Sequence, residues 1–131
     1  MRPKALIVED DPNTQRLLSA IIEAEGLDVE VANDGDVAID LLSRESYAVI
    51  LLDIVLPTVS GTAVMEYLRA NNPAALANVI VVTGLDVAEV RTLFPTVRQA
   101  LGKPVLPARL RATVRTCIPG WGSSSPDMSV A

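Results

Sequence analysis

The stretch Ala48–Gly61, AVILLDIVLPTVSG, decides how the rest of the chain is read. Five apolar residues, Ala48 to Leu52, run without a polar break and end on one carboxylate, Asp53. A continuous apolar run of strand length predicts a strand buried on both faces, as in a parallel sheet. A carboxylate at the end of such a strand is costly to desolvate unless something uses it. Its apolar neighbours give Asp53 no evident structural partner in the sequence.

Similar runs recur on both sides: ALIV at 5–8 and VIVV at 79–82, with weaker strands expected for DVEVA at 28–32 and VRQAL at 97–101. Helical spacing fills the intervals. Leu17, Leu18, Ile21, Ile22 and Glu25 form one pattern, with Asp11 as N-cap, Pro12 at the first position and Gly26 at the end. Val37, Ala38, Leu41 and Leu42 form a second; Val64, Tyr67 and Leu68, opened by Ser60, form a third. Asp86 and Glu89 resemble a capping box for a short fourth helix that Pro95 stops. Leu106, Leu110, Thr113, Val114 and Cys117 form a fifth, with Pro107 at its start. Five strand–helix units over 1–118 predict an α/β, doubly wound, flavodoxin-like five-stranded parallel sheet of order 2-1-3-4-5. Ligands then bind at the carboxyl ends of the first and third strands. The segment 119–131 is Gly/Ser-rich and aperiodic, so a flexible tail is expected there, with Trp121 as a loose cover.

Composition narrows the chemistry. The 131 residues suit one domain, and with 3% aromatics the core must be Val, Ile, Leu and Ala. A net charge of −5 argues against a nucleic-acid footprint of clustered Lys and Arg. There is no His, which removes Ser-His-Asp and Cys-His catalysis, His-ligated metals and a phosphohistidine carrier role. The single Cys117, read as an apolar helix residue, permits no internal disulfide and suggests a reducing compartment. No run has signal-peptide or membrane-spanning character, so a cytoplasmic protein is expected.

On the predicted frame, Glu9 and Asp10 follow strand 1, Asp53 ends strand 3, Thr83 ends strand 4 and Lys103 follows strand 5. All five are expected to converge on one crevice. Three close carboxylates repel unless a counter-charge intervenes. Mg²⁺ suits them, because it prefers oxygen ligands and binds one or two carboxylates plus a phosphate. An Asp beside such an ion is a plausible nucleophile toward phosphorus. The Lys103 ammonium and the Thr83 hydroxyl can neutralise or donate to the remaining phosphoryl oxygens. Asp53 is therefore expected to be a phosphate acceptor. Taken singly, the blander readings win: Thr83 as a strand-end hydroxyl, Lys103 as a surface amine, Glu9-Asp10 as loop acids. Joint placement at one sheet edge favours the site.

LIVEDDP, LLDIVLPTVSG, VIVVTG and GKPV, in this order, make residues 4–118 resemble the receiver domains of bacterial two-component response regulators. The resemblance implies that Asp53 is phosphorylated by a histidine kinase or phosphotransfer protein. It implies that Asp10 holds Mg²⁺ directly and Glu9 through water, with the Val55 carbonyl as a further ligand. Thr83 is then drawn to the phosphoryl group and Lys103 pairs with it. Val55 and Leu85, at positions that tune hydrolysis in receivers, are apolar here, so a long-lived phosphoprotein is expected. Receivers usually carry an aromatic or His where this chain has Ala100, so a route through Thr83, Gly84 and Leu85 is expected instead. The interval from Thr83 to Lys103 is about two residues short, so a curtailed fourth helix is expected.

The expected function is a single-domain response regulator, a monomer or weak dimer that signals by protein contact. It would act on no external substrate; Mg²⁺-dependent self-phosphorylation and autodephosphorylation are its only expected chemistry. No nucleic acid or membrane partner is expected. One competing reading is a receiver-like module that is never phosphorylated. Another is a flavin-binding redox protein, which would need a Gly/Ser/Thr phosphate loop where this chain has EDDP.

Overall fold

Five short strands, the inner three rich in Val, Ile, Leu and Ala and the two edge strands more polar, line up as one parallel sheet in the order second, first, third, fourth, fifth. In the computed structural model, which describes residues 2–56 and 59–118, they are β1 (Lys4–Val8), β2 (Asp28–Ala32), β3 (Val49–Leu52), β4 (Val79–Thr83) and β5 (Gln99–Gly102). The helices are α1 (Pro12–Ala24), α2 (Gly35–Arg44), α3 (Gly61–Asn71), α4 (Val87–Leu93) and α5 (Pro107–Cys117). A 3-10 helix, Pro73–Asn78, which no periodicity announced, leads into β4. The sequence-predicted tail 119–131, Trp121 included, lies outside the described residues.

Two apolar cores cover the two sheet faces. On one, Leu6, Ile50, Leu52 and Val81 pack with Ala38 of α2, Val64, Met65 and Leu68 of α3, and Val90 of α4. On the other, Ile7, Leu51, Ile80 and Val82 pack with Leu18, Ile21 and Ile22 of α1 and Leu110, Val114 and Cys117 of α5. Each fully buried Leu or Ile contributes roughly 1.5–3 kcal/mol relative to exposure. Cys117 is one of these buried apolar residues, and burial pushes its thiol pKa up. No helix among the described residues is long and apolar enough to cross a membrane.

The caps explain where the helices start. Asp11 Oδ2 accepts from the Thr14 N–H at 2.8 Å, and Ser60 Oγ from the Ala63 N–H at 3.3 Å. Asp86 Oδ1 accepts from the Glu89 N–H at 3.1 Å, which is the forward half of the expected capping box. Gly26, at φ 94°, turns the chain out of α1. The fourth helix is short, seven residues ending before Pro95.

Three expectations are corrected. The fifth strand begins at Gln99 rather than Val97, because residues 95–98 turn back after α4 before pairing begins. Leu17 and Val37 fit the helical period but are exposed, since only the central rows of α1 and α2 meet the sheet. Leu106 is the N-cap of α5, not a core position, and stands 62% exposed.

Candidate functional site

The parallel register delivers the polar residues to one edge. Val8 pairs with Leu52, so Glu9-Asp10 and Asp53 leave the sheet side by side. Thr83 pairs with Gly102, so Lys103 leaves β5 beside the end of β4. The carboxylates of Glu9, Asp10 and Asp53 present oxygens within 4.8 Å of one another. Glu9 and Asp53 are buried, while Asp10 is exposed to solvent.

Lys103 ties the cluster together. Its ammonium donates to Glu9 Oε1 at 2.7 Å and to Asp53 Oδ2 at 3.0 Å. Burial alone would push its pKa down, but the hydrogen bonds and charges of Glu9 and Asp53 outweigh burial and hold it above the ordinary lysine value. Glu9 Oε2 also accepts from the Asp11 N–H at 3.0 Å, and Asp53 Oδ1 from the Val55 N–H at 3.2 Å. Asp53 therefore has structural partners that its apolar sequence neighbours did not reveal. The bonds from the Lys103 ammonium and the Val55 N–H fix the orientation of its two carboxylate oxygens.

Thr83 is fully buried. Its carbonyl accepts from the Lys103 N–H at 2.8 Å, and its hydroxyl oxygen accepts from the Leu85 N–H at 3.1 Å. The structure thus brings Glu9, Asp10, Asp53 and Lys103 into direct association, with Thr83 joined to them through the backbone. Gly84 follows with open space where a Cβ would stand. Val55 and Leu85 are 61% and 48% exposed. Ala100 is buried against the α2–α3–α4 core.

Two glycines were missed as contributors. A Cβ on Gly61 would lie 2.2 Å from the Asp53 carbonyl oxygen and 2.6 Å from Ile54 Cα. A Cβ on Gly35 would lie 2.2 Å from the Val59 carbonyl oxygen. These close approaches pin the connection after β3, on which Val55 sits, at both ends. The signal was available: a Gly directly after the N-cap Ser60, where a better helix former would be expected.

The donor set suits a hard divalent ion: three oxygen-bearing side chains and no nitrogen or sulfur ligand among the described residues of the cluster. Lys103 supplies one positive charge against three carboxylates, leaving an excess that a divalent cation would balance.

Residues 5–115 match the response regulator receiver domain family. The chain belongs to that family and is a receiver domain of two-component signalling. The CpxR homolog of Haemophilus influenzae, a transcriptional regulatory protein, is 34% identical over 134 residues, covering 98% of this chain and 55% of that protein. The chain spans about half the length, or less, of the curated relatives it matches. A CheY-like receiver domain protein from Methanospirillum hungatei JF-1 is 29% identical, with a TM-score of 0.78 over 88% of this chain and 93% of that one. The receiver domain of a sensor histidine kinase from Pseudomonas aeruginosa PAO1 is 26% identical, with a TM-score of 0.80 over 91% and 99% of the two chains. That protein was solved with a magnesium ion coordinated in its active-site cleft.

Proposed function

We propose that the chain accepts a phosphoryl group on Asp53 from a histidine kinase or phosphotransfer protein and signals by protein–protein contact, as a single-domain response regulator. The observation that carries this reading is the buried Asp53 carboxylate, bridged by Lys103 to Glu9 and gathered with Asp10 at the carboxyl ends of β1 and β3. A carboxylate oxygen of Asp53 attacks phosphorus, and the bond from phosphorus to the donor's imidazole nitrogen breaks as the imidazole leaves with a proton. Lys103, already 3.0 Å from Asp53, stays close enough to pair with a phosphoryl oxygen there. Glu9 holds the other side of the ammonium and aims it. The Thr83 hydroxyl accepts from Leu85, which leaves its own proton free to donate.

Asp10, Asp53 and the Val55 carbonyl would hold Mg²⁺ directly, with Glu9 acting through water. The ion's contribution when bound is to neutralise charge on the phosphoryl oxygens. The protein is proposed to act in the cytoplasm, on no substrate but itself.

Acetyl phosphate with Mg²⁺, followed by intact mass, tests the reading. Wild type should gain one phosphoryl group and Asp53→Ala none. Asp10→Ala should lose both Mg²⁺ binding and phosphorylation. A wild-type chain that stays unmodified under these conditions, while folded, is a constitutive interaction module instead.

A further inference from the structure

Gln15 lies on the first turns of α1 and is half-buried. Its side-chain Nε2 donates to the Glu9 carbonyl at 2.6 Å and to Asn33 Oδ1 at 2.7 Å. A side-chain amide has two N–H donors, and both are used. Neither partner is on α1: Glu9 leaves β1 and Asn33 follows β2. One amide therefore joins α1, the turn after β1 and the turn after β2.

The carbonyl that Gln15 holds belongs to the peptide joining Glu9 to Asp10. That peptide is a rigid plane, so fixing its oxygen fixes the rotation of the unit linking the two acids. The rest of the turn is held by other bonds. The Glu9 N–H donates to the Ala32 carbonyl at 3.1 Å, and the Asp11 N–H donates to Glu9 Oε2 at 3.0 Å. Neither of these bonds touches the Glu9–Asp10 plane at its oxygen. Asp10 itself is exposed and has no side-chain hydrogen bond among the described residues, so the backbone alone aims its carboxylate.

We propose that Gln15 is a positioning residue for the acidic crevice. It holds the Glu9–Asp10 peptide so that both carboxylates converge on Asp53, and it thereby sets the affinity of the crevice for a divalent cation. Asn33 occupies the second N–H of the amide and fixes its rotamer. This inference rests on the reading of the crevice given under Proposed function.

The test uses the full chain as wild type, Gln15→Met, Asn33→Ala and the double variant. Met keeps the length of Gln and removes both donors. Three quantities are read: Mg²⁺ affinity from amide NMR shifts, the Mg²⁺ dependence of phosphorylation by acetyl phosphate, and the urea midpoint. Groups that orient a metal ligand typically change affinity by about ten-fold when lost, so Gln15→Met should weaken Mg²⁺ binding by about that factor. Its phosphorylation rate at saturating Mg²⁺ should stay near wild type, and its urea midpoint should move little. Asn33→Ala should weaken binding less. The double variant should be no worse than Gln15→Met, because both changes break one bridge. Unchanged Mg²⁺ affinity in Gln15→Met overturns the inference, as does a loss that only tracks a lowered urea midpoint. If Gln15→Met does not fold, wild-type affinity in the surface variant Asn33→Ala overturns it. A wild-type chain that neither binds Mg²⁺ nor gains a phosphoryl group overturns the underlying reading as well.

Discussion

The acidic crevice and the α4–β5 flank share the ends of β4 and β5, yet they are built to opposite tolerances. In the crevice Glu9 and Asp53 are buried and each holds two partners. The loop below them is pinned by backbone contacts at Gly35 and Gly61. On the flank, α4 has seven residues and only Val90 is buried. Gly84 has nothing within 4 Å of a Cβ position, and Leu85 and Leu93 are exposed. The small residues Ala100 and Gly102 leave a groove of about 370 Å³, walled by Val87, Leu106 and Arg109. An element with few buried contacts opens at low free-energy cost, so the flank can move while the chemistry stays in register.

Adding one methyl group to each region gives the largest expected contrast. Gly61→Ala gains some helix propensity but drives a Cβ into the Asp53 carbonyl, and overpacking against backbone should cost about 3 kcal/mol. Gly84→Ala should stay within about 0.5 kcal/mol of wild type. Urea unfolding of both variants measures the difference. Equal stabilities would mean that the crevice is no stiffer than the flank.

That contrast also marks what could be read from the sequence. The β2 boundaries, the caps at Asp11 and Ser60 and the sheet order were all legible, because turn chemistry and apolar runs are local signals. So was the set of crevice residues, since the end of each strand in this topology faces one edge. The Lys103–Glu9 pair was not, because 94 residues separate its members and no period links them. Gln15 escaped notice for a related reason: a side chain bonded to a carbonyl leaves no pattern in residue type. Leu17 and Val37 were overread, because an apolar stripe on a helix is wider than the strip that touches the sheet, and Leu106 because it precedes the first turn of α5.

Removing the lysine probes the crevice directly. Lys103→Ala leaves the buried Glu9 carboxylate without its cation, which should cost about 2 kcal/mol, partly restored by Mg²⁺. The folded-state pKa of Lys103 is raised, so its stabilising contribution is fully present below the unfolded value of 10.5. That contribution is lost as pH rises through the higher folded value. The stability gap between wild type and Lys103→Ala should therefore be flat through neutral pH and close above 10.5. A gap that persists unchanged at higher pH would show that the ion pair is not its source.

The link between the regions should run through Thr83. Its hydroxyl oxygen accepts from the Leu85 N–H, and Asp86, the next residue, caps α4. A hydroxyl drawn toward a phosphoryl oxygen would carry that backbone with it, for about a kcal/mol or somewhat more from one hydrogen bond to a charged acceptor. With beryllofluoride in place of the phosphoryl group, the largest amide shifts outside the crevice are expected in residues 84–94. Thr83→Ala should shrink them. Shifts centred on α1, or unaffected by Thr83→Ala, would separate the two regions altogether.

The smallest expected effect concerns how long the modified state lasts, and it lies on the border between the regions. Hydrolysis of an aspartyl phosphate needs a water in line behind phosphorus, and a polar side chain can hold it there. Val55 stands on the crevice side, its N–H bonded to Asp53, and Leu85 on the flank side, its N–H bonded to Thr83. Both side chains are exposed and neither can orient a water. A slow decay should follow, and a polar replacement at either position should quicken it by roughly several-fold, far below what full general-base catalysis supplies. Because the flank has fewer buried contacts than the crevice, Val55→Asn should act more strongly than Leu85→Gln. Val55 is tied to Asp53 through its N–H, so a polar group there should hold its water in one place. Leu17→Gln, an exposed apolar change on α1, serves as the control and should leave the rate alone. The decay is followed by intact mass after the donor is removed. Equal decay in all three variants would remove any role for the apolar rim, and a stronger effect from Leu85→Gln would reverse the assignment of stiffness between loop and flank.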